Sequence, residues 1–170
     1  MTAYVALLRA VNVGGRKLAM ADLKQIALDA GLERPRTFIA SGNLVFASDK
    51  AEGVVARILE ERLEKHMGAD VPVFVRTARE MDQVVGANPF SDEPGSKVAA
   101  IFFETSPPED LIENARGVAD ERMALGEREI YVHYPSGMGT SKLRLPAKIV
   151  GTARNMNTVA KLAGLAKEVE

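Results

Sequence analysis

The first half of the chain alternates short apolar runs with longer segments whose apolar residues recur at helical spacing. The pattern predicts strands at residues 4–8 and 71–76, and a hairpin formed by residues 36–40 and 43–47. Two amphipathic helices separate these strands, and each is followed by a glycine suited to a left-handed C-terminal position. The resulting order is β-α-β-β-α-β, the order of a ferredoxin-like unit, in which two helices cover one face of a four-stranded sheet.

Capping signals indicate where the helices begin. Asp49 and Glu52 have the spacing of a capping box, as do Thr77 and Glu80. We therefore expect the second long helix to follow Asp49, and a further short helix to run from Thr77 to Gly86.

The segment 88–96 contains two prolines and a glycine and is predicted to be a linker. It divides the chain into a ferredoxin-like half, residues 1–91, and a second, related half, residues 92–170. In the second half, residues 98–103 and 130–134 predict strands, the latter bent or forming half of a hairpin. Helices are expected from Pro107 to Ala115, near residues 146–150, and from about Asn155 to Lys167. We therefore predict an α+β fold with two related halves in tandem.

Composition narrows the class of protein. The 170 residues, 46% apolar and 26% charged, are typical of a globular protein of one domain or two small ones. The absence of Cys excludes disulfides, thiolate nucleophiles, Cys-ligated zinc and iron–sulfur clusters. No apolar run approaches the ~18 residues of a membrane span, and no basic leader precedes an apolar stretch. We expect a cytoplasmic protein without a membrane partner; the sequence does not predict its oligomeric state.

Charge is distributed unevenly although the net charge is only −1. Residues 130–167 contain no Asp or Glu but six Lys and Arg, and residues 1–21 contain three cationic residues and no acid. Lys161 and Lys167 are explained as solvated charges near the C-terminus of a helix. The other cations predict a surface that attracts anions.

Two segments combine such cations with asparagine, and the first of them also contains two glycines. Residues 8–16, between a strand and a helix, can present backbone N–H groups with Arg9 and Asn12 to a phosphate or carboxylate, or simply connect the two elements. Residues 152–158 place Arg154 with two asparagines at the start of the last helix, more donors than capping requires. By contrast, the residue types of Ser41-Gly42-Asn43 are already explained by a hairpin turn.

No catalytic or metal-binding motif is present. The sequence lacks nucleotide-binding glycine loops, a nucleophile elbow and the spacing of metal ligands around His66 or His133. We expect no metal and no cofactor, and the catalytic residues of any reaction remain unknown.

Several short motifs together resemble a bacterial family catalogued as domain of unknown function 1697. The resemblance implies an α+β fold built on ferredoxin-like halves and carries over no activity or substrate. The chain departs from the family pattern at Ala10, where Gly is usual, and at Met156, where Trp is usual. The motifs that carry the resemblance are Leu8-Arg9-Ala10-Val11-Asn12-Val13-Gly14-Gly15, Ser41-Gly42-Asn43, Val75-Arg76-Thr77, Asn88-Pro89-Phe90, His133-Tyr134-Pro135, Ser141-Lys142-Leu143 and Thr152-Ala153-Arg154-Asn155-Met156-Asn157-Thr158.

The favoured hypothesis is a protein that binds a small ligand bearing phosphate or carboxylate, such as a nucleotide, in one Arg/Asn cleft. Arg offers forked donors to such groups, and Asn adds donors without cancelling the positive charge. One alternative is an enzyme that uses the same cleft, with His133 or Tyr134 as base. Another is an RNA-binding module, which is disfavoured because the central strand lacks the stacking aromatic residues. The predicted ligand-binding residues are Arg9, Asn12, Ser41, Asn43, Arg76, Ser141, Arg154, Asn155 and Asn157.

Overall fold

A computed structural model gives the fold and describes residues 1–12 and 15–170. The described residues form eight strands and four α-helices, with one short 3₁₀ turn at Gly95–Lys97. The strands are β1 (Thr2–Leu8), β2 (Glu33–Thr37), β3 (Asn43–Ser48), β4 (Val73–Thr77), β5 (Val98–Phe103), β6 (Arg122–Leu125), β7 (Glu129–His133) and β8 (Gly151–Asn155). The helices are α1 (Met20–Asp29), α2 (Glu52–Met67), α3 (Ala78–Gly86) and α4 (Met156–Glu168).

Two antiparallel four-stranded sheets organise the chain as two similar halves. Their strand orders are β2-β3-β1-β4 and β6-β7-β5-β8, so each sheet repeats the same arrangement of first, second, third and fourth strand. The first half follows the predicted β-α-β-β-α-β order. The mixed α+β fold with two related halves is therefore confirmed.

Some element predictions in the second half are wrong. Residues 109–114 form turns rather than a helix, because Leu111 enters the core and Arg116 pairs with Arg144 in a β-bridge that takes the chain off a helical path. Residues 146–150 contain only a turn. Strand β8 was not predicted, because it lacks the alternation of apolar and polar residues on which strand prediction depends.

The helix starts and ends are partly as predicted. Thr77 and Glu80 form the reciprocal capping box, with Thr77 N donating to Glu80 Oε1 (2.9 Å) and Glu80 N donating to Thr77 Oγ1 (3.1 Å). Gly68 ends α2 in the left-handed conformation. The capping box predicted at Asp49 is wrong: α2 begins after Ala51 without a side-chain cap, and Asp49 lies near the N-terminal amino group instead.

The first compact unit comprises Met1–Asp82 and Lys161–Glu170. One face of its sheet packs on α1 and α2 through a core that includes Phe46, Leu23 and Leu59. The C-terminal end of α4 is fixed to β2, because Arg34 Nη2 donates to the carbonyl of Val169 and Arg36 Nη1 lies 2.8 Å from Glu168 Oε2.

The second compact unit comprises Gln83–Ala160. A smaller core of Phe103, Leu111, Ile130, Val132 and Leu143 lies on one face of its sheet. On the other face, the buried hydroxyl of Tyr131 donates to the carbonyl of Val84 (2.7 Å). The boundaries between the two compact units lie within α3 and within α4. Among the described residues, every helix is too short or too polar to cross a membrane.

Candidate functional site

The loop after β1 is held by backbone and amide hydrogen bonds. Leu8 N donates to Gly42 O (2.9 Å), and Arg9 N donates to Pro72 O (3.0 Å). Asn12 joins both sides of the loop: its Nδ2 donates to Leu18 O (3.1 Å) and Ala40 O (2.6 Å), and its Oδ1 accepts from Leu18 N (2.8 Å). The side-chain amide of Asn12 therefore links the backbone at Leu18 to the backbone at Ala40. Val13 and Gly14, which belong to the predicted motif, lie outside the described residues.

A cavity of about 400 Å³ opens on this loop and is lined by Asn12 and residues 15–19. Two cationic side chains, Arg16 and Lys17, border it, and its described lining contains no carboxylate. Arg16 is oriented by a bond from its Nη2 to Asp70 O (2.9 Å). Arg9 and Lys17 are exposed, and neither forms an ion pair with a described residue. This part of the first unit therefore carries uncompensated positive charge.

Ser41-Gly42-Asn43 connects the loop to the hairpin. Asn43 is fully buried, and its Nδ2 donates to Phe38 O and Ser41 Oγ, both at 2.9 Å. Gly42 has φ +88, and a Cβ there would lie 2.6 Å from Val11 Cγ2 and 2.9 Å from Leu8 Cβ. These contacts account for the three residue types by turn geometry and close packing, which is the structural interpretation favoured from the sequence.

Arg76 and Arg154 occupy equivalent positions in the two halves. Each is the penultimate residue of an edge strand, opposite Val5 in one sheet and Ala100 in the other. Both are buried, with 1% and 7% of their surface exposed. Arg154 Nη1 donates to Thr152 Oγ1 (2.7 Å) and Ala153 O (2.9 Å), and burial lowers the pKa of Arg154 to about 10. A desolvated guanidinium at the same place in each sheet is the main internal symmetry among the predicted residues.

The other predicted residues of the second unit also have structural partners. Asn155 caps α4, because its Oδ1 accepts from Thr158 N (2.9 Å). Asn157 packs against Gly95, where the side-chain amide occupies the space that a Cβ would need. Ser141 Oγ donates to Glu121 Oε2 (2.6 Å), a bond that lowers the pKa of Glu121.

The predicted residues divide between the two units. Hydrogen bonds connect Ser41 with Asn43, and Asn12 with the neighbouring residue Ala40. In the second unit, Arg154 and Asn155 are consecutive at the end of β8, and Asn157 follows in α4. Arg9, Asn12, Ser41, Asn43 and Arg76 belong to the first unit, and Ser141, Arg154, Asn155 and Asn157 to the second. Their convergence on one cleft stays a prediction.

The two candidate bases have different surroundings. His133 is buried and stacks on Phe90, with Nδ1 3.0 Å from Arg122 Nη2 and Nε2 3.5 Å from Glu93 Oε2. Tyr134 packs against the small core of the second unit, and burial raises the pKa of its hydroxyl. Both ring nitrogens of His133 thus face Arg122 and Glu93. Within residues 1–12 and 15–170, no three His, Asp or Glu side chains are grouped as metal ligands.

A second cluster of cations, in the second unit, is not predicted by the sequence motifs. Arg116, Arg144 and Lys148 line a cavity of about 730 Å³ in the second unit. Arg144 and Lys148 belong to the acid-free interval, which was the available signal. Arg116 gave none, because its position depends on pairing with a distant residue.

Comparison with known proteins identifies the family. The sequence pattern of DUF1697, described as a protein of unknown function, matches residues 1–131. The chain belongs to this family. A solved structure similar to it is the conserved bacterial protein SP0830 from Streptococcus pneumoniae, at 24% identity and a TM-score of 0.82, covering 98% of this chain and 99% of that one. This structural similarity shows that the DUF1697 protein described here and SP0830 share a fold. No curated protein matches the chain.

Proposed function

We propose that this DUF1697 protein binds a small ligand bearing phosphate or carboxylate at the loop that follows β1. The observation that carries the proposal is the cavity bordered by Arg16 and Lys17, with no carboxylate in its described lining. Arg9, which directly follows β1, adds an exposed cation to the same loop.

The backbone of this loop favours a binding role over a plain connection. Ala10 has a φ of +59, a region that costs an alanine about 1–2 kcal/mol, and Asn12 has a φ of +58, which asparagine adopts more readily. Such conformations persist where surrounding contacts impose them, and they cluster at ligand sites. Here the bonds of Asn12 to Leu18 and Ala40 impose the conformation. Asn12 is therefore held in place before a ligand arrives, which reduces the entropy lost on binding.

The positive charges of Arg9, Arg16 and Lys17 would attract the anionic group of the ligand. An arginine held by one bond still has free N–H groups, and a phosphate or carboxylate accepts such bonds strongly. Because no described carboxylate pairs with Arg9 or Lys17, an incoming anion does not have to displace an existing partner. Nucleotides and sugar phosphates are the first compounds to test, because they combine phosphate with an organic body that fits a small cavity.

The experiment is a thermal-shift screen with inorganic phosphate, nucleotides and sugar phosphates, followed by calorimetric titration of the compound that shifts Tm most. We expect Arg9→Ala and Lys17→Ala each to raise Kd by roughly 10- to 100-fold, since a charge-assisted bond contributes about 1.5–3 kcal/mol. Lys24→Ala is the matched control, because Lys24 is an exposed cation on α1 outside the cavity lining. Arg154→Ala tests the predicted single cleft: a loss of affinity with folding intact supports it. If no anion shifts Tm, or if both loop variants bind as the control does, the proposal is wrong.

A further inference from the structure

A β-bridge in the second unit places two arginines directly opposite each other. Arg116 N donates to Arg144 O, and Arg144 N donates to Arg116 O, both at 2.8 Å. This reciprocal pair of bonds defines a hydrogen-bonded antiparallel pair, in which the opposed Cα atoms are ~5.5 Å apart and the side chains leave the ribbon on the same side. The side chains of Arg116 and Arg144 therefore start on the same side of the bridge, and the Arg144 guanidinium is held there by a bond from its Nη1 to Leu143 O (2.9 Å).

The bridge is held firmly by the residue that follows it. Gly117 has φ +70, and its α-carbon lies so close to Lys142 O that a Cβ has no room. The backbone at Gly117 and the backbone at Lys142 are therefore in close contact on one side of the bridge. The spacing of Arg116 and Arg144 is imposed by the backbone rather than chosen by their side chains.

Two like charges at directly opposed positions repel each other. Lys148 adds a third cation to the same cavity, whereas Glu113 is the one carboxylate of the described lining. Among the described residues, no carboxylate forms an ion pair with Arg116, Arg144 or Lys148. The cluster therefore has a net charge that an anion with two negative charges would neutralise, and forked guanidinium donors match the oxygens of a phosphate.

The size and lining of the cavity indicate a ligand that is larger than an inorganic ion. Its volume of about 730 Å³ falls within the ~300–1,000 Å³ of small-molecule sites. Leu145, Pro146 and Ala147 line it beside the cations. Small-molecule sites typically combine such an apolar surface with a few polar groups that fix the orientation of the ligand.

We propose that residues 113–116 and 144–148 form a second binding site, which takes an organic phosphate. The phosphate group lies between Arg116 and Arg144 with Lys148 nearby, and the organic body contacts Leu145 and Ala147. This site goes beyond the proposed function, since none of its residues belongs to the loop after β1.

The test uses the whole chain and calorimetric titration with inorganic phosphate, glucose 6-phosphate and adenosine 5′-monophosphate. We expect an organic phosphate to bind more tightly than inorganic phosphate, and Arg116→Ala and Arg144→Ala each to raise Kd about tenfold. Arg116→Lys keeps the charge without the fork and should fall between the wild type and Arg116→Ala. Lys161→Ala is the matched control, an exposed lysine outside the cavity lining.

A second measurement does not depend on knowing the ligand. At low salt without phosphate, Arg116→Ala and Arg144→Ala should leave Tm unchanged or raise it, because each removes one of two repelling charges. Added phosphate or organic phosphate should raise the Tm of the wild type more than that of either variant. A fall in Tm of several degrees for both variants without ligand would show that the bridge arginines are structural, and would overturn the proposal.

The outcomes also separate this site from the loop after β1. Binding that is weakened by Arg9→Ala and Lys17→Ala but unchanged by Arg116→Ala leaves the proposed function standing and refutes the second site. The reverse pattern supports the second site and refutes the first. If single-stranded RNA binds in a steeply salt-dependent way through Arg116 and Arg144 while no organic phosphate binds, the cluster recognises a nucleic acid backbone instead, and the proposal is wrong.

Discussion

Replacing Gly42 with alanine tests how the loop after β1 is packed against the β2–β3 hairpin. Gly42 has φ +88, and an added Cβ would lie 2.6 Å from Val11 Cγ2 and 2.9 Å from Leu8 Cβ. Both neighbours are buried, and Leu8 N is also bonded to Gly42 O. The methyl group therefore meets a strand end that has little freedom to move.

Two costs add in this variant. A left-handed backbone costs an alanine about 1–2 kcal/mol. Overpacking against rigid neighbours costs about 1–3 kcal/mol more. The reduced entropy of the unfolded chain returns about 0.4–1 kcal/mol. We expect Gly42→Ala to lower the free energy of unfolding by about 1–4.5 kcal/mol.

Gly31→Ala separates the two costs. Gly31 also has positive φ, +80, but a Cβ there would meet no atom within 4 Å. Only the backbone cost applies, and we expect a loss of about 1 kcal/mol.

Urea unfolding followed by circular dichroism measures both variants against the wild type. With a typical slope of about 1–3 kcal/mol per molar urea, the midpoint of Gly42→Ala should fall by roughly 1 M or more and that of Gly31→Ala by clearly less. If the two variants lose the same stability, the close approach of Gly42 to Val11 and Leu8 does not matter energetically, and the packing argument is refuted.

Two further predictions concern the caps and the tyrosines. Thr77→Ala should cost about 1 kcal/mol of unfolding free energy because it removes the cap of α3, whereas Asp49→Ala should stay within about 0.5 kcal/mol; equal losses in urea unfolding would contradict the observed caps. Burial raises the pKa of Tyr4, Tyr131 and Tyr134, so tyrosinate absorbance should develop at higher pH in the folded protein than in urea. Because the unfolded chain ionises first, near the ordinary value of 10.0, this contribution to stability is complete below that pH and is lost as pH rises above it; coincident titration curves would contradict the burial of these hydroxyls.

The elements that could be predicted from the sequence are those whose pattern is local. The apolar stripe of α2 and the runs of β1 and β3 were placed correctly, because burial on one helix face or in a central strand leaves a regular spacing. Strand β8 was missed because its sequence, Gly-Thr-Ala-Arg-Asn, is polar and buries Arg154 by tertiary contacts. The helix expected up to Ala115 is absent because a long-range bridge determines the path of the chain there.

The same distinction applies to the candidate sites. The hairpin role of Asn43 followed from turn chemistry, and the structure shows the expected side-chain bonds. The interval 130–167, which contains Lys and Arg but no Asp or Glu, indicated a cationic surface in the second half. The sequence could not pair Arg116 with Arg144, since nothing in either neighbourhood encodes the register of a single bridge.

The first unit is built from two segments that are far apart in the sequence, and this affects how it can fold during synthesis. Residues 161–170 belong to that unit and are bound to β2 by Arg34 and Arg36, although the other unit lies between them and residue 82 in sequence. A ribosome releases the chain from the N-terminus onward, and domains usually fold in that order. Here the first sheet and its two helices emerge early, but Arg34 and Arg36 of β2 gain their bonding partners, Val169 and Glu168, only after α4 has been made. The segment synthesised first is therefore the one completed last, and the intervening unit can fold in the meantime.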